Sequence, residues 1–225
     1  KKFPDEDVFL DWGYGVQSNH RQEFDIRRGD RSGIPALDLQ LWSHTLFAKY
    51  SNNRSRIKYK SGIQAGWADN TNDYETGILP LIPDYLKGHI GLYTMMQYPV
   101  NHFVLEAGAR YDLQYLKAWA ITMSLPRELV VRKHTYHDVA FSLGVQFKPE
   151  SEIETRWQNV IARRSPEPNE LYSNGLHQGV AGIEEGNWML QPETSFKSML
   201  SQSIVFENLV RFELSAYSHL IYQYI

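Results

Sequence analysis

Apolar and polar side chains alternate along much of this chain, over segments longer than an ordinary globular strand. The clearest segment runs from residue 103 to residue 115, where every second side chain is apolar or aromatic. Charged residues lie between them, among them Glu106, Arg110 and Asp112. Because successive side chains of a strand point to opposite sides, the segment predicts a strand with one apolar and one charged face. Its length is sufficient to cross a bilayer at a tilt.

The same alternation recurs along the chain and predicts about nine or ten long strands. In the last of the strong segments, Arg211 and Glu213 fall on the polar face. The other strong segments are 57–67, 139–147 and 210–222, and the weaker ones are 8–24, 37–50, 88–98, 153–161 and 194–206. No segment predicts a helix.

Short and long connections alternate between these strands. The tight turns are expected at 51–55, 98–102, 148–152 and 206–209, and the long polar loops at 25–35, 69–85, 121–133 and 166–192. This order is typical of an antiparallel up-and-down transmembrane β-barrel, with short turns at one rim and long loops at the other. A soluble β-sandwich also alternates apolar and polar residues, and is the competing all-β interpretation.

Composition excludes several functional classes. The 23 basic and 26 acidic residues are interleaved and give a net charge of −3, which argues against a nucleic-acid partner. Cysteine is absent, so disulfides, thiolate nucleophiles and cysteine zinc sites are excluded. No apolar run approaches the roughly 18 residues of a membrane helix, so any membrane crossing would use strands. The sequence carries none of the common hydrolase, metalloprotease or nucleotide-binding motifs, which predicts no enzyme and no cofactor.

The stretch from Arg164 to Glu193 carries a family resemblance. It contains, in order, Arg-x-Pro, Glu-Leu, a loop with glycine and histidine, Gly-Asn and Leu-x-Pro-Glu. This order resembles the segment that follows a barrel strand in TonB-dependent receptors, and segments 19–29, 34–41 and 106–112 look like further barrel strands of that family. The matching positions are Arg164, Pro166, Glu170, Leu171, Gly175, His177, Gly179, Glu185, Gly186, Asn187, Leu190, Pro192 and Glu193.

The resemblance implies an outer-membrane receptor of a Gram-negative bacterium that imports a scarce nutrient. Such receptors close a barrel of about 22 strands around a plug and are driven by a TonB complex. Residues 1–225 are then expected to form a single region of a partial barrel, without the plug and the terminal strands. The implied ligand is an iron–siderophore, haem or another metal chelate, and the lipid is that of the outer membrane. A passive porin-like or adhesin barrel remains an alternative, as does a carbohydrate-binding β-sandwich.

The external loop supplies the candidate ligand-binding residues, which are Tyr172, His177, Glu184 and Glu185. In haem receptors of this family a histidine lies between an Arg-x-Pro and an Asn-x-x-Leu element, and His177 has that position here. His177 is therefore the candidate for contact with haem or metal. The charged residues of the predicted polar face are expected to point into the barrel lumen, where water or the plug can solvate them: Glu106, Arg110, Asp112, Arg211 and Glu213.

Overall fold

The chain folds around one nine-stranded antiparallel sheet. The structure, a computed structural model, describes residues 7–24, 33–122, 125–177, 182–206 and 209–223. The strands of the sheet are β1 (Val8–Glu23), β2 (Leu37–Asn52), β3 (Lys58–Asn72), β4 (Asp84–Val100), β5 (Phe103–Ile121), β6 (Leu129–Glu150), β7 (Ile153–Arg164), β10 (Glu193–Phe206) and β11 (Val210–Tyr222). Helix α1 (Pro168–Tyr172) and a hairpin of β8 (Asn174–His177) and β9 (Gly182–Glu185) lie between β7 and β10.

Each strand of the sheet pairs with the strands before and after it in the sequence. The spatial order is β1 to β7, then β10 and β11, and every pairing is antiparallel. This confirms the predicted up-and-down meander and the predicted number of long strands. A β-sandwich would need two packed sheets, and the described residues form one large sheet with a small separate hairpin.

Several local features differ from the sequence prediction, among them the β8–β9 hairpin inside the long loop expected at 166–192. Helix α1 was not expected, because its five residues are too few to show a helical period; Pro168 begins it, and proline suits that first position. The long loop expected at 121–133 is shorter, since β6 begins at Leu129 and pairs with β5 up to Ile121. Leu129, Val130 and Val131 are all apolar and Arg132, Lys133 and His134 are all polar, so the sequence does not alternate there. No helix among the described residues is long and apolar enough to cross a membrane.

One face of the sheet carries a continuous surface of exposed apolar side chains, here called the apolar belt. The strand register places alternate residues of neighbouring strands on this same face. Trp12 is 69% exposed and Leu143 is 68% exposed. Other members are Val16, Leu46, Trp67, Leu92, Leu105, Phe141, Trp157, Leu200, Phe212 and Leu220. An apolar surface of this extent is what a transmembrane barrel turns toward lipid.

The opposite face, here called the polar face, holds charged side chains that contact each other across an intervening strand. Arg156 on β7 donates to Glu106 on β5 over a distance of 2.7 Å, although β6 runs between them. Gly144 of β6 lies under this contact, and a Cβ there would stand 3.3 Å from the Glu106 carboxylate. The absence of a side chain at Gly144 therefore leaves room for the ion pair.

Candidate functional site

The segment between β7 and β10, residues 165–192, is here called the capping loop. Its described residues pack against the polar face near the ends of β4, β5 and β6. Its helix α1 places Leu171 and Tyr172 against Leu116 and Ala118 of β5. Leu171 is 1% exposed, and Leu116 and Ala118 are fully buried. These four residues are the buried apolar core of the described chain. The capping loop is thus docked by hydrophobic burial at one end of the sheet.

Arg164 fixes both ends of the capping loop. Its guanidinium donates to the carboxylate of Glu170 at 2.9 and 3.1 Å and to that of Glu193 at 2.8 Å. Glu170 also accepts from the Glu167 backbone amide at 2.7 Å. Burial acts to raise the pKa of Glu170, but the hydrogen bonds from Arg164 and Glu167 outweigh it and lower that pKa. The ionised carboxylate is therefore the form that holds the loop.

Three further polar contacts attach the capping loop to strands of the polar face. The ammonium of Lys87 donates to the Glu167 carboxylate at 2.6 and 2.7 Å. The Ser165 hydroxyl and amide donate to Asp138 at 2.5 and 3.1 Å. The Tyr172 hydroxyl and His134 Nε2 are hydrogen-bonded at 2.5 Å. Because β4 and β6 both contribute, the loop is held from two sides of β5.

The returning half of the capping loop passes close to helix α1. The Gly186 amide donates to the Ser173 carbonyl at 2.6 Å, and the Asn187 amide donates to the Glu170 carbonyl at 2.9 Å. A Cβ at Gly186 would meet the Tyr172 nitrogen at 2.5 Å and the Leu171 carbonyl carbon at 2.6 Å. Only glycine permits this backbone approach. Gly175 is required for a different reason, which is its backbone conformation: residues with a side chain rarely adopt its φ of +140°.

Several of the residues that suggested the family thus build and dock the capping loop. Arg164 and Glu170 form its ion pair, Leu171 its apolar anchor and Gly186 its close crossing. Pro166 and Pro192 are buried. Leu190 packs against the apolar core, and its amide donates to the Asn187 carbonyl at 3.1 Å.

A cavity of about 330 Å³ lies between the capping loop and the neighbouring loops. Its walls include the aromatic rings of Tyr74, Trp119, Tyr172 and Trp188. Arg132 of β6 also lines it, with its guanidinium carbon 3.8 Å from the centre of the Trp188 ring. Burial raises the pKa of Tyr172 to about 12, so its hydroxyl is neutral at physiological pH. The cavity thus combines aromatic walls with a cationic group.

The structure places the four candidate ligand residues on different parts of the capping loop. Tyr172 lines the cavity and is hydrogen-bonded to His134. Glu184 and Glu185 lie on β9, opposite Gly175 and Asn174 of β8. The backbone of His177 pairs with Gly182, while its side chain lies outside the described residues, as does Gly179. Within the described part of the chain, no three His, Asp or Glu side chains form a group that could hold a metal ion.

The five charged residues expected in the lumen all lie on the polar face and form ion pairs. Glu106 accepts from Arg156 and, at 2.8 Å, from Gln97. Arg110 donates to Asp112 at 2.5 and 2.6 Å. Arg211 and Glu213 are 3.6 Å apart on β11. These pairs lie away from the cavity, so the structure does not bring this set together with the candidate ligand residues.

Sequence reasoning missed Arg132, Trp188 and His134 as site residues. Arg132 lies in a segment that the sequence predicts as a loop, and Trp188 occupies an unspecified position of the Asn-x-x-Leu element. Trp188 lies 56 positions after Arg132, and no local pattern links the two. A large aromatic residue inside a polar loop was the available signal.

The comparisons with known proteins agree with this architecture. Residues 3–198 match the family model described as TonB dependent receptor-like, beta-barrel. The search of curated proteins found no matching sequence. The structure is similar to that of the copper transporter OprC, with a TM-score of 0.66 and 16% identity over 95% of this chain and 35% of that one.

A second similar structure is a double mutant of the Serratia marcescens hemophore receptor HasR in complex with its hemophore HasA and heme. Its TM-score is 0.67, with 14% identity over 97% of this chain and 41% of HasR. The chain therefore spans less than half the length of either protein, and at these identities the likeness shows the fold alone. Since the family model covers most of the chain, the chain belongs to the family of TonB-dependent receptors, as part of their β-barrel.

Proposed function

We propose that this chain is the central part of the barrel of an outer-membrane receptor in a Gram-negative bacterium, which takes up a scarce nutrient by active transport. The nutrient is a metal chelate such as an iron–siderophore, or haem. The capping loop and its cavity form part of the ligand-binding surface. The remaining barrel strands and the plug belong to the same polypeptide, outside residues 1–225, and the plug is the part that engages the TonB complex.

The observation that carries this proposal is the two-sided sheet with its docked capping loop. The apolar belt suits lipid, while the polar face pairs its charges internally and suits a hydrated interior. The capping loop lies over the polar face, where it can contact a ligand that enters the barrel. Two structures of similar fold support the choice of nutrient, since one is a copper transporter and the other a hemophore receptor bound to heme.

Growth assays with the complete receptor test this function. The gene is expressed in a Gram-negative strain that lacks its own receptors, and growth is measured on ferric siderophores, haem or a copper chelate as the sole metal source. The proposal predicts growth on at least one of them, and loss of that growth when TonB is deleted. Growth or solute leakage that persists without TonB would instead identify a passive porin-like barrel.

The role of His177 is tested by the same assay. If the nutrient is haem, His177→Ala should abolish growth on haem iron, because an imidazole is a common axial ligand of haem iron. His102→Ala is the matched control, since His102 lies in the two-residue turn between β4 and β5, at the opposite end of the strands. Unchanged growth of the His177→Ala strain on haem would remove haem ligation by this residue.

A further inference from the structure

We infer that the cavity beside the capping loop binds an organic anion with an aromatic or aliphatic body, one arm of the transported chelate, and that Arg132 recognises its negative charge. This inference rests on the proposed function, because it names the chemical class of the nutrient. It is carried by the position of Arg132, the walls of the cavity and the charges around it.

Arg132 is the one charged residue among the described residues that line the cavity. The carboxylates of Glu167 and Glu170 on the capping loop are already engaged, Glu167 with Lys87 and Glu170 with Arg164. Glu184 and Glu185 of β9 do not line the cavity. No ion pair of Arg132 occurs within the described part of the chain, whereas Arg110, Arg156 and Arg164 of the same face all have one. The cavity therefore presents a positive charge that an incoming anion can neutralise.

The stacking of Arg132 on Trp188 orients the guanidinium. With the guanidinium carbon 3.8 Å from the ring centre, one face of the cation contacts the indole. Stacking uses the face of the planar group and leaves its edge, which carries the N–H donors, available for hydrogen bonds. A carboxylate or a pair of catecholate oxygens matches such an edge with two parallel hydrogen bonds.

The other walls suit an apolar or aromatic body attached to that anion. Leu79, Pro83, Ile121 and Val130 contribute aliphatic surface, and Tyr74 and Trp119 contribute rings. The nearby Tyr172 hydroxyl is neutral and is already bonded to His134, so no negative charge on it opposes the ligand. A volume of about 330 Å³ lies at the lower end of the range of small-molecule sites, which suits one arm of a chelate.

Binding measurements on the complete receptor in detergent test the inference. The probes are an anionic ferric tricatecholate, ferric citrate, a neutral ferric trihydroxamate and metal-free 2,3-dihydroxybenzoate, each titrated by calorimetry. The wild type should bind at least one of the two anionic chelates. Arg132→Gln should weaken that binding by about tenfold or more, because a charge-assisted hydrogen bond is lost. Arg132→Lys should retain part of the affinity, since it keeps the charge but not the planar edge.

Arg56→Gln is the matched control, because Arg56, in the turn between β2 and β3, also lies over an aromatic ring, 4.8 Å from the centre of Tyr98. It should leave binding unchanged. Trp188→Phe, which keeps a ring under the guanidinium, should bind better than Trp188→Ala. Heat-dependent gel mobility reports whether each variant is folded.

The inference is overturned if folded Arg132→Gln binds the anionic chelate as tightly as the wild type does. It is also overturned if the variant's affinity for the neutral chelate falls by the same factor as its affinity for the anionic one. It is also overturned if the wild type binds neither anionic chelate. In each of these cases TonB-dependent growth on another nutrient would leave the proposed function standing. Binding of metal-free dihydroxybenzoate with the same dependence on Arg132 would show that the anion alone is recognised, which supports the site.

Discussion

Replacing Gly186 with alanine should release the capping loop from helix α1. The added Cβ would stand 2.5 Å from the Tyr172 nitrogen, 2.6 Å from the Leu171 carbonyl carbon and 2.8 Å from the Ser173 nitrogen. All three are backbone atoms, so the contact cannot be relieved by a side-chain rotation. The returning half of the loop must move away, and the hydrogen bonds of the Gly186 and Asn187 amides are lost with it.

The loss in the free energy of loop docking can be worked out from these contacts. Two backbone hydrogen bonds contribute about 1 kcal/mol each, and overpacking of a tight contact costs about 1–3 kcal/mol. We therefore expect the free energy of local loop opening to fall by about 3 kcal/mol, with the nine-stranded sheet intact. If cleavage follows the open population, this corresponds to about a hundredfold faster proteolysis within the loop.

Limited proteolysis of the detergent-solubilised receptor measures this change, with cleavage between residues 165 and 192 followed by mass spectrometry. Gly33→Ala is the matched control, because no atom of the described residues lies within 4 Å of a Cβ at that loop position. Its cleavage rate in the capping loop should equal that of the wild type. Equal rates for Gly186→Ala and Gly33→Ala would refute the argument that this backbone crossing holds the loop.

Two further predictions concern the apolar belt and the ion pair of the capping loop. Leu143→Arg should destabilise the membrane-inserted barrel by about 2–4 kcal/mol, measured by urea titration in lipid vesicles. Met199→Arg, on the polar face, should destabilise it much less. Equal destabilisation by the two variants would contradict the assignment of faces. The pKa of Glu170 is lowered in the folded state, so its ionised carboxylate stabilises the docked capping loop. This stabilisation is fully present above the ordinary glutamate pKa and is lost as pH falls through the lowered pKa. Pepsin cleavage of the capping loop should therefore accelerate as pH falls below the ordinary glutamate pKa. In Glu170→Gln the cleavage rate should depend less steeply on pH. The same dependence on pH in the variant and the wild type would exclude Glu170 as a source of the loop's acid sensitivity.

The strands and their two faces could be read from the sequence because alternation is a local property. The pattern at 103–115 predicted part of β5. The register of β5 with β4 and β6 places the apolar residues of all three strands on the same side of the sheet. Proline and glycine positions in 164–193 indicated an irregular loop, but not where it would lie. Strand ends were less well predicted, as at Leu129, because apolar residues and then polar residues follow one another in runs there and do not alternate.

By itself, then, the sequence determined the class of fold, the approximate number of strands and the residues that face each side. The tertiary structure alone decided that Arg164 links Glu170 to Glu193, that Arg156 reaches Glu106 over Gly144, and that Arg132 stacks on Trp188 beside a cavity. The physical reason is the range of the interactions. Alternation follows from the geometry of a single strand, whereas these contacts join residues that become neighbours only after the sheet has formed and the loop has docked on it.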